Sequence, residues 1–176
     1  GVKGEICIKG ENVMAGYWKN PKSTADTVVD GWLHTGDMGY MRDAEMLYVV
    51  GRFKSLLIAA DGEKYSPEGI EENLVESSKY IDGALLHNSQ DPYTIALITP
   101  NKEALTAYAK ELGLDPSTKE AKVKMLELLQ DEVNMYRKGG RMSGAFPERW
   151  LPAAVCVLPE PWTEQNHFLN SSMKVV

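Results

Sequence analysis

A chain of 176 residues, 43% of them hydrophobic, carries enough apolar material for one sizeable core or two small ones. Its formal net charge of -6, with the basic residues scattered, excludes the clustered cationic face that nucleic acid demands, and no run approaches the roughly 20 apolar residues of a membrane span. The two cysteines, Cys7 and Cys156, stand in separate short apolar runs, which predicts buried free thiols, no disulfide, and a reducing cytoplasmic setting.

The first 50 residues read as short strands and turns. Ile6 and Ile8 alternate with Glu5, Cys7 and Lys9, and Glu45 to Val50 forms a second apolar run closed by Gly51. Between them, Pro21 stands where a helix starts, Lys22 to Val29 is expected to make two helical turns, and Gly31 to end them. Few of these residues are large and apolar, so the segment is expected to be the last β-rich part of a larger body. Both chain ends, at Gly1 and Val176, look like cuts in a longer protein.

The pattern changes after Lys54. Leu56 to Ala60 reads as a buried strand, Asp61-Gly62 as a turn, and Ser66 as the N-cap of a helix with Pro67 in its first turn and Ile70, Leu74 and Val75 facing inward. Two strands, Tyr80 to His87 and Tyr93 to Thr99, flank an Asn88 to Pro92 turn. Leu105, Tyr108, Ala109 and Leu112 then mark one helical face closed by Gly113. Val123, Leu126, Leu129, Val133 and Tyr136 mark another over about Ser117 to Lys138, broken by Gly139-Gly140, and Ala153 to Leu158 returns as a strand. The fold class is α+β: the end of a β-rich subdomain over 1-53, then a small mixed sheet packed with helices over 54-176.

Three sites stand out. Asp37, on the turn expected at Thr35-Gly36-Asp37, can accept hydrogen bonds from two vicinal hydroxyls, and Arg52 offers a rigid fork of donors on a strand end. That pair suits a ribose, although a turn aspartate after glycine is also an ordinary structural feature. Lys54 lies at the seam between the two composition regimes, where a hinge belongs, and Gly62 sits where a tight turn needs a positive φ. The three histidines, His34, His87 and His167, are far apart and show no metal-ligand spacing, so no metal site is expected.

Gly31-Trp32-Leu33-His34-Thr35-Gly36-Asp37, Gly51-Arg52-Phe53-Lys54 and the run from Asp61 through Pro67 to Glu71 together resemble the adenylate-forming superfamily: acyl-CoA synthetases, firefly luciferase and the adenylation domains of peptide synthetases. Leu158 to Lys174 resembles the closing motif of the long-chain fatty acid:CoA ligases within it. His167 stands there for a glycine, and Asn170, Ser171 and Ser172 for a Thr-Pro-Thr triplet.

The resemblance implies that Asp37 binds the ribose hydroxyls of ATP and of the acyl-adenylate with help from Arg52, and that Lys54 is the pivot of a mobile C-terminal domain. It implies that the Gly62 loop lines the path of the CoA pantetheine, with Lys64 near a CoA phosphate, and that Lys174 is the catalytic lysine of adenylation. His34 is expected to pack or to lie on the adenine side. The glycine-rich phosphate loop, the Mg²⁺ ligand and the acyl pocket are expected before Gly1. The implied partners are a fatty acid or related carboxylate, ATP and CoA, with peripheral membrane contact open in the parent. Other acyl- or aryl-CoA ligases and adenylation domains share these segments, and a noncatalytic interaction module is the alternative from another class.

Overall fold

A computed structural model describes residues 2–43 and 45–170 of the chain. It divides into two compact units, Gly1–Leu56 and Leu57–Val176, so the division falls just beyond the Lys54 seam.

The first unit is a four-stranded antiparallel sheet built from β1 (Gly4–Ile8), β2 (Val28–Val29), β3 (Trp32–Arg42) and β4 (Met46–Arg52). The long β3 pairs with β1 along one edge and with β2 and β4 along the other. Helix α1 (Pro21–Thr27) is shorter than expected, because Asn20 caps its start and Val28-Val29 already belongs to a hairpin with Trp32-Leu33. The link of that hairpin is Asp30-Gly31, both at positive φ (51° and 78°), the two-residue turn whose twist matches paired strands. Gly31 therefore closes a hairpin, not a helix. Among the described residues before Leu57 only Gly39 and Gly51 are buried, in keeping with the scarcity of large apolar residues there.

The second unit holds the core. A short hairpin pairs the two-residue strands β5 (Leu57–Ile58) and β6 (Lys64–Tyr65). The strand expected over Leu56 to Ala60 is thus only two residues long, since the chain turns at Ala59 to Gly62. Helix α2 (Glu68–Ser77) follows, with Pro67 at its cap and no side-chain capping bond, so Ser66 does not serve as N-cap. The main sheet runs β7 (Ile81–His87), β8 (Ile95–Pro100), β9 (Ala154–Val157). Its first pair is antiparallel and its second parallel. A parallel pair needs a crossover, and α3 (Lys102–Glu111) with α4 (Lys119–Asn134) supplies it.

Ile70 and Leu74 of α2, Ile81, Leu86, Ala96 and Ile98 of the sheet, Leu105 of α3, and Leu129 and Val133 of α4 make one buried cluster with Tyr136. The face of α4 differs from the one expected. Ala121, Leu129 and Val133 are buried with Met125 and Leu128 packed alongside, whereas Val123 and Leu126 are each 44% exposed. At about 100° per residue Val123 points away from Ala121, and a small buried alanine carries little weight in a pattern read from large side chains. Leu112 is 48% exposed for a similar reason, lying past the end of α3 beside the Gly113 turn. The cysteines also depart from expectation. Both are free, but Cys7 is half-buried and Cys156 exposed, since β9 is an edge strand whose outward positions face solvent.

Candidate functional site

Asp37 lies inside β3, not on a free turn, directly opposite Arg52 of β4. Arg52 Nε donates to Asp37 Oδ1 at 3.0 Å, and both side chains keep solvent access. The turn character foreseen from the sequence survives as a distortion of the strand. Gly36 has φ 74°, and the pairing of β3 slips between Met38 and Gly39 against β4 and between Glu5 and Cys7 against β1. Thr35 braces this kink, its hydroxyl donating to Ile6 O at 2.7 Å and accepting from Asp37 N at 3.0 Å. The contact spends one carboxylate oxygen, Oδ1, and one guanidinium donor, Nε, of a pair that offers more of each.

His34 is half-buried and bonded to β1. Its Nδ1 meets Glu5 Oε2 at 2.8 Å, while Glu5 Oε1 accepts from Gly36 N at 3.1 Å. The bond to His34 is the largest influence and lowers the Glu5 pKa; desolvation opposes it, and the bond from the Gly36 amide adds a smaller lowering. Nothing local in the sequence announced this pair, because its partners are 29 positions apart.

Lys54 is exposed in a 3₁₀ turn over Phe53–Ser55, immediately after β4. In the second unit, Gly62 sits at the tip of the β5–β6 hairpin with φ 83° and open space where a Cβ would stand, as its turn position foretold. Gly62 N donates to Ala59 O at 2.8 Å, and Lys64 is exposed at the start of β6.

The closing motif is described as far as Asn170. Thr163 and Asn166 bond reciprocally, Asn166 Oδ1 accepting from Thr163 N at 2.9 Å and Thr163 Oγ1 from Asn166 N at 3.2 Å. His167 adopts φ 61°, a left-handed conformation that glycine takes up without strain. Lys174 lies outside the described residues.

Among the described residues one group of potential ligands converges, Glu5 with Cys7 and His34, and its sulfur and imidazole do not suit a hard cation that prefers oxygen.

A small mixed sheet with a βααβ crossover, preceded by an antiparallel segment, is the architecture that solved structures show for the C-terminal portion of adenylate-forming enzymes. The comparisons bear this out. The chain is 34% identical over 177 residues to mouse long-chain-fatty-acid–CoA ligase 5, covering 98% of this chain and 25% of the relative. It superposes on the adenylation domain of a carboxylate reductase from Mycobacterium chelonae with a TM-score of 0.80 at 27% identity, over 99% of this chain and 25% of that one. On the Bacillus subtilis o-succinylbenzoate CoA synthetase in complex with AMP the TM-score is 0.63 at 25% identity, over 99% and 29%. No family model matches the chain. It belongs to the adenylate-forming superfamily, and it spans about a quarter of the length of the curated relatives it matches.

Proposed function

We propose that this chain is the C-terminal part of an ATP-dependent long-chain fatty acid:CoA ligase acting in the cytoplasm, and that the whole enzyme converts a carboxylate and ATP to acyl-AMP and pyrophosphate before CoA displaces AMP. The observation that carries the reading is the cross-strand Asp37–Arg52 pair within a chain related along 98% of its length to a long-chain ligase. Asp37 Oδ2 and the remaining Arg52 donors hold the ribose hydroxyls through both half-reactions. Lys54 is the pivot, so that 54-176 turns as a domain relative to 1-53 between them.

Each half-reaction then draws on a different face of that domain. In the first, the Lys174 ammonium lies between the attacking carboxylate and the α-phosphate and offsets their repulsion in the transition state. In the second, the Gly62 hairpin tip, lacking a side chain, leaves room for pantetheine, with Lys64 beside a CoA phosphate. The Mg²⁺ ligand, the phosphate loop and the acyl pocket are assigned to residues outside this chain.

The test is the reaction of the enzyme containing this chain. With ATP, CoA and a series of carboxylates it should release pyrophosphate and form thioester fastest with long-chain fatty acids. Preference for aryl or short acids would move the chain to another branch, to which the likeness to the o-succinylbenzoate synthetase points. The 176-residue chain alone should release none, and pyrophosphate from it would refute the division of labour.

A further inference from the structure

The slipped register between β1 and β3 assembles donors that no sequence spacing revealed. Cys7 pairs with His34 and Glu5 with Met38, so two steps along β1 answer four along β3. The extra length of β3 arches over Ile6 and brings His34 within reach of both Glu5 and Cys7. The result is a carboxylate oxygen, a thiol sulfur and an imidazole nitrogen all within 4.8 Å of one another.

Their arrangement is unlike a Cys–His–Glu relay. In a relay the acid and the thiol take opposite ring nitrogens, one orienting the imidazole and the other exchanging a proton with it. Here both converge on Nδ1, Glu5 Oε2 at 2.8 Å and Cys7 Sγ at 3.7 Å. A single proton on Nδ1 serves the carboxylate and leaves the sulfur without a donor from the ring. A cation in place of that proton serves all three.

We propose that Glu5, Cys7 and His34 form a binding site for a borderline divalent transition-metal ion, with Zn²⁺ as its natural occupant. Bonds of about 2.3 Å to sulfur and about 2.0–2.2 Å to nitrogen and oxygen place tetrahedral donors roughly 3.3–3.6 Å apart. The Cys7–His34 separation of 3.7 Å already fits; on binding, the Glu5 carboxylate moves out from 2.8 Å of Nδ1 to a position that also meets Cys7 Sγ, from which it stands within 4.8 Å. The thiol gives its proton to solvent on binding, and Nδ1 binds as the neutral imidazole. Thiolate and imidazole select against Mg²⁺ and Ca²⁺.

Three protein ligands leave a fourth position, and the side chains of His34 and Glu5, 38% and 31% exposed, open that side to water. Glu5 Oε1 keeps its bond from Gly36 N, so the ion ties β1 to the arch that leads into Asp37. The site is independent of the reading of Asp37 as a ribose ligand and stands or falls by itself.

The test is titration of the reduced, metal-free 176-residue chain with Co²⁺, followed by competition with Zn²⁺. One equivalent should bind with a sulfur-to-cobalt charge-transfer band and tetrahedral visible bands, both erased by Zn²⁺. Cys7→Ser should abolish the charge-transfer band, His34→Gln should weaken binding, and Cys156→Ser should leave the spectrum unchanged, with circular dichroism reporting the fold of each. No band in the unaltered chain, or a band that survives Cys7→Ser, overturns the proposal. A measurement free of any substitution accompanies it: Zn²⁺ should slow alkylation of Cys7, read peptide by peptide, and leave Cys156 unaffected. Equal rates at Cys7 with and without Zn²⁺ refute the site.

Discussion

Arg149 grips the Glu63 carboxylate with two guanidinium nitrogens, Nε on Oε2 and Nη2 on Oε1 at 2.7 Å. The Trp150 indole N–H joins them on Oε2 at 3.1 Å, and its ring stacks on Tyr65 with centroids 5.2 Å apart. Glu63 directly follows Gly62, and Ala59 N donates to its carbonyl at 2.9 Å. The hairpin tip is thereby fastened to a turn 86 residues further along the chain. A planar fork fixes direction as well as distance, which a point charge does not.

Glu63→Gln removes the charge and one acceptor from that fork. The expected outcome is faster hydrogen exchange at the Gly62 amide and altered Trp150 fluorescence, with global stability little changed because Arg149 is exposed. In the ligase containing this chain, thioester formation from supplied acyl-AMP should slow while pyrophosphate release holds. Loss of pyrophosphate release to the same degree counts against a role confined to the hairpin.

Arg52→Lys keeps a cation opposite Asp37 but loses the fork. Hydrogen bonds to a charged group contribute about 1.5–3 kcal/mol each, so ATP and AMP should bind roughly 10- to 100-fold more weakly. Asp37→Asn, which retains the size and the bond-accepting oxygen, should do the same. Nucleotide affinity measured by calorimetry decides it, and unchanged affinity in both variants removes the ribose assignment.

Glu71 gives a pH dependence of stability. Burial raises its pKa from the ordinary 4.5, the bond from Leu86 N at 2.7 Å opposes this, and the neighbouring Glu68 and Glu72 add to the rise. Above the raised value the side chain is ionised in both states and its desolvation destabilises the fold. As pH falls through that value the folded state takes up a proton first, and the penalty is relieved, disappearing below the unfolded-state value. Glu71→Gln, whose amide oxygen still accepts from Leu86 N, should therefore exceed the parent in stability near neutral pH. Urea melts should show the gap closing toward acid; a gap that widens in acid contradicts the argument.

What the sequence disclosed and what it hid follow one physical line. The β7–β8 hairpin, α2 and α3 were readable because their signals are local: Asn88 to Pro92 between apolar runs, Pro67 at a helix start, Gly113 at a helix end. The positive φ at Gly62 was likewise set by its neighbours. Asp37 was misplaced on a turn because Gly36 imitates one, whereas pairing on both edges keeps β3 extended through it. Cys7 and Cys156 were read as buried from flanking apolar residues, while exposure depends on which sheet face and edge they occupy. The Glu5–His34 and Glu63–Arg149 contacts join segments 29 and 86 positions apart, and no local pattern encodes them.

His167 holds φ 61° at a cost, since a side chain in the left-handed region raises the energy by about 1–2 kcal/mol where glycine incurs none. His167→Gly should relieve up to that much strain, offset in part by the greater freedom glycine gives the unfolded chain. A chemical melt should show a stability equal to or above the parent. A clear loss would mean that the imidazole makes a contact the turn depends on.

The two half-reactions should separate between substitutions at Lys174 and at Lys54. A cation about 4 Å from a reacting anion at an effective dielectric near 20 contributes on the order of 4 kcal/mol. Lys174→Ala in the ligase should thus slow adenylation roughly a thousandfold and spare thioester formation from supplied acyl-AMP. Lys54→Pro, which restricts φ at the seam between the units, should do the reverse: pyrophosphate appears in a burst, acyl-AMP accumulates, and thioester lags. Single-turnover assays with labelled fatty acid read both species at once. If Lys174→Ala impairs both steps equally, the lysine acts on something common to them, such as the ribose or the closed state. If Lys54→Pro accumulates no acyl-AMP while circular dichroism shows it folded, the pivot lies elsewhere in the Phe53–Ser55 turn or beyond it.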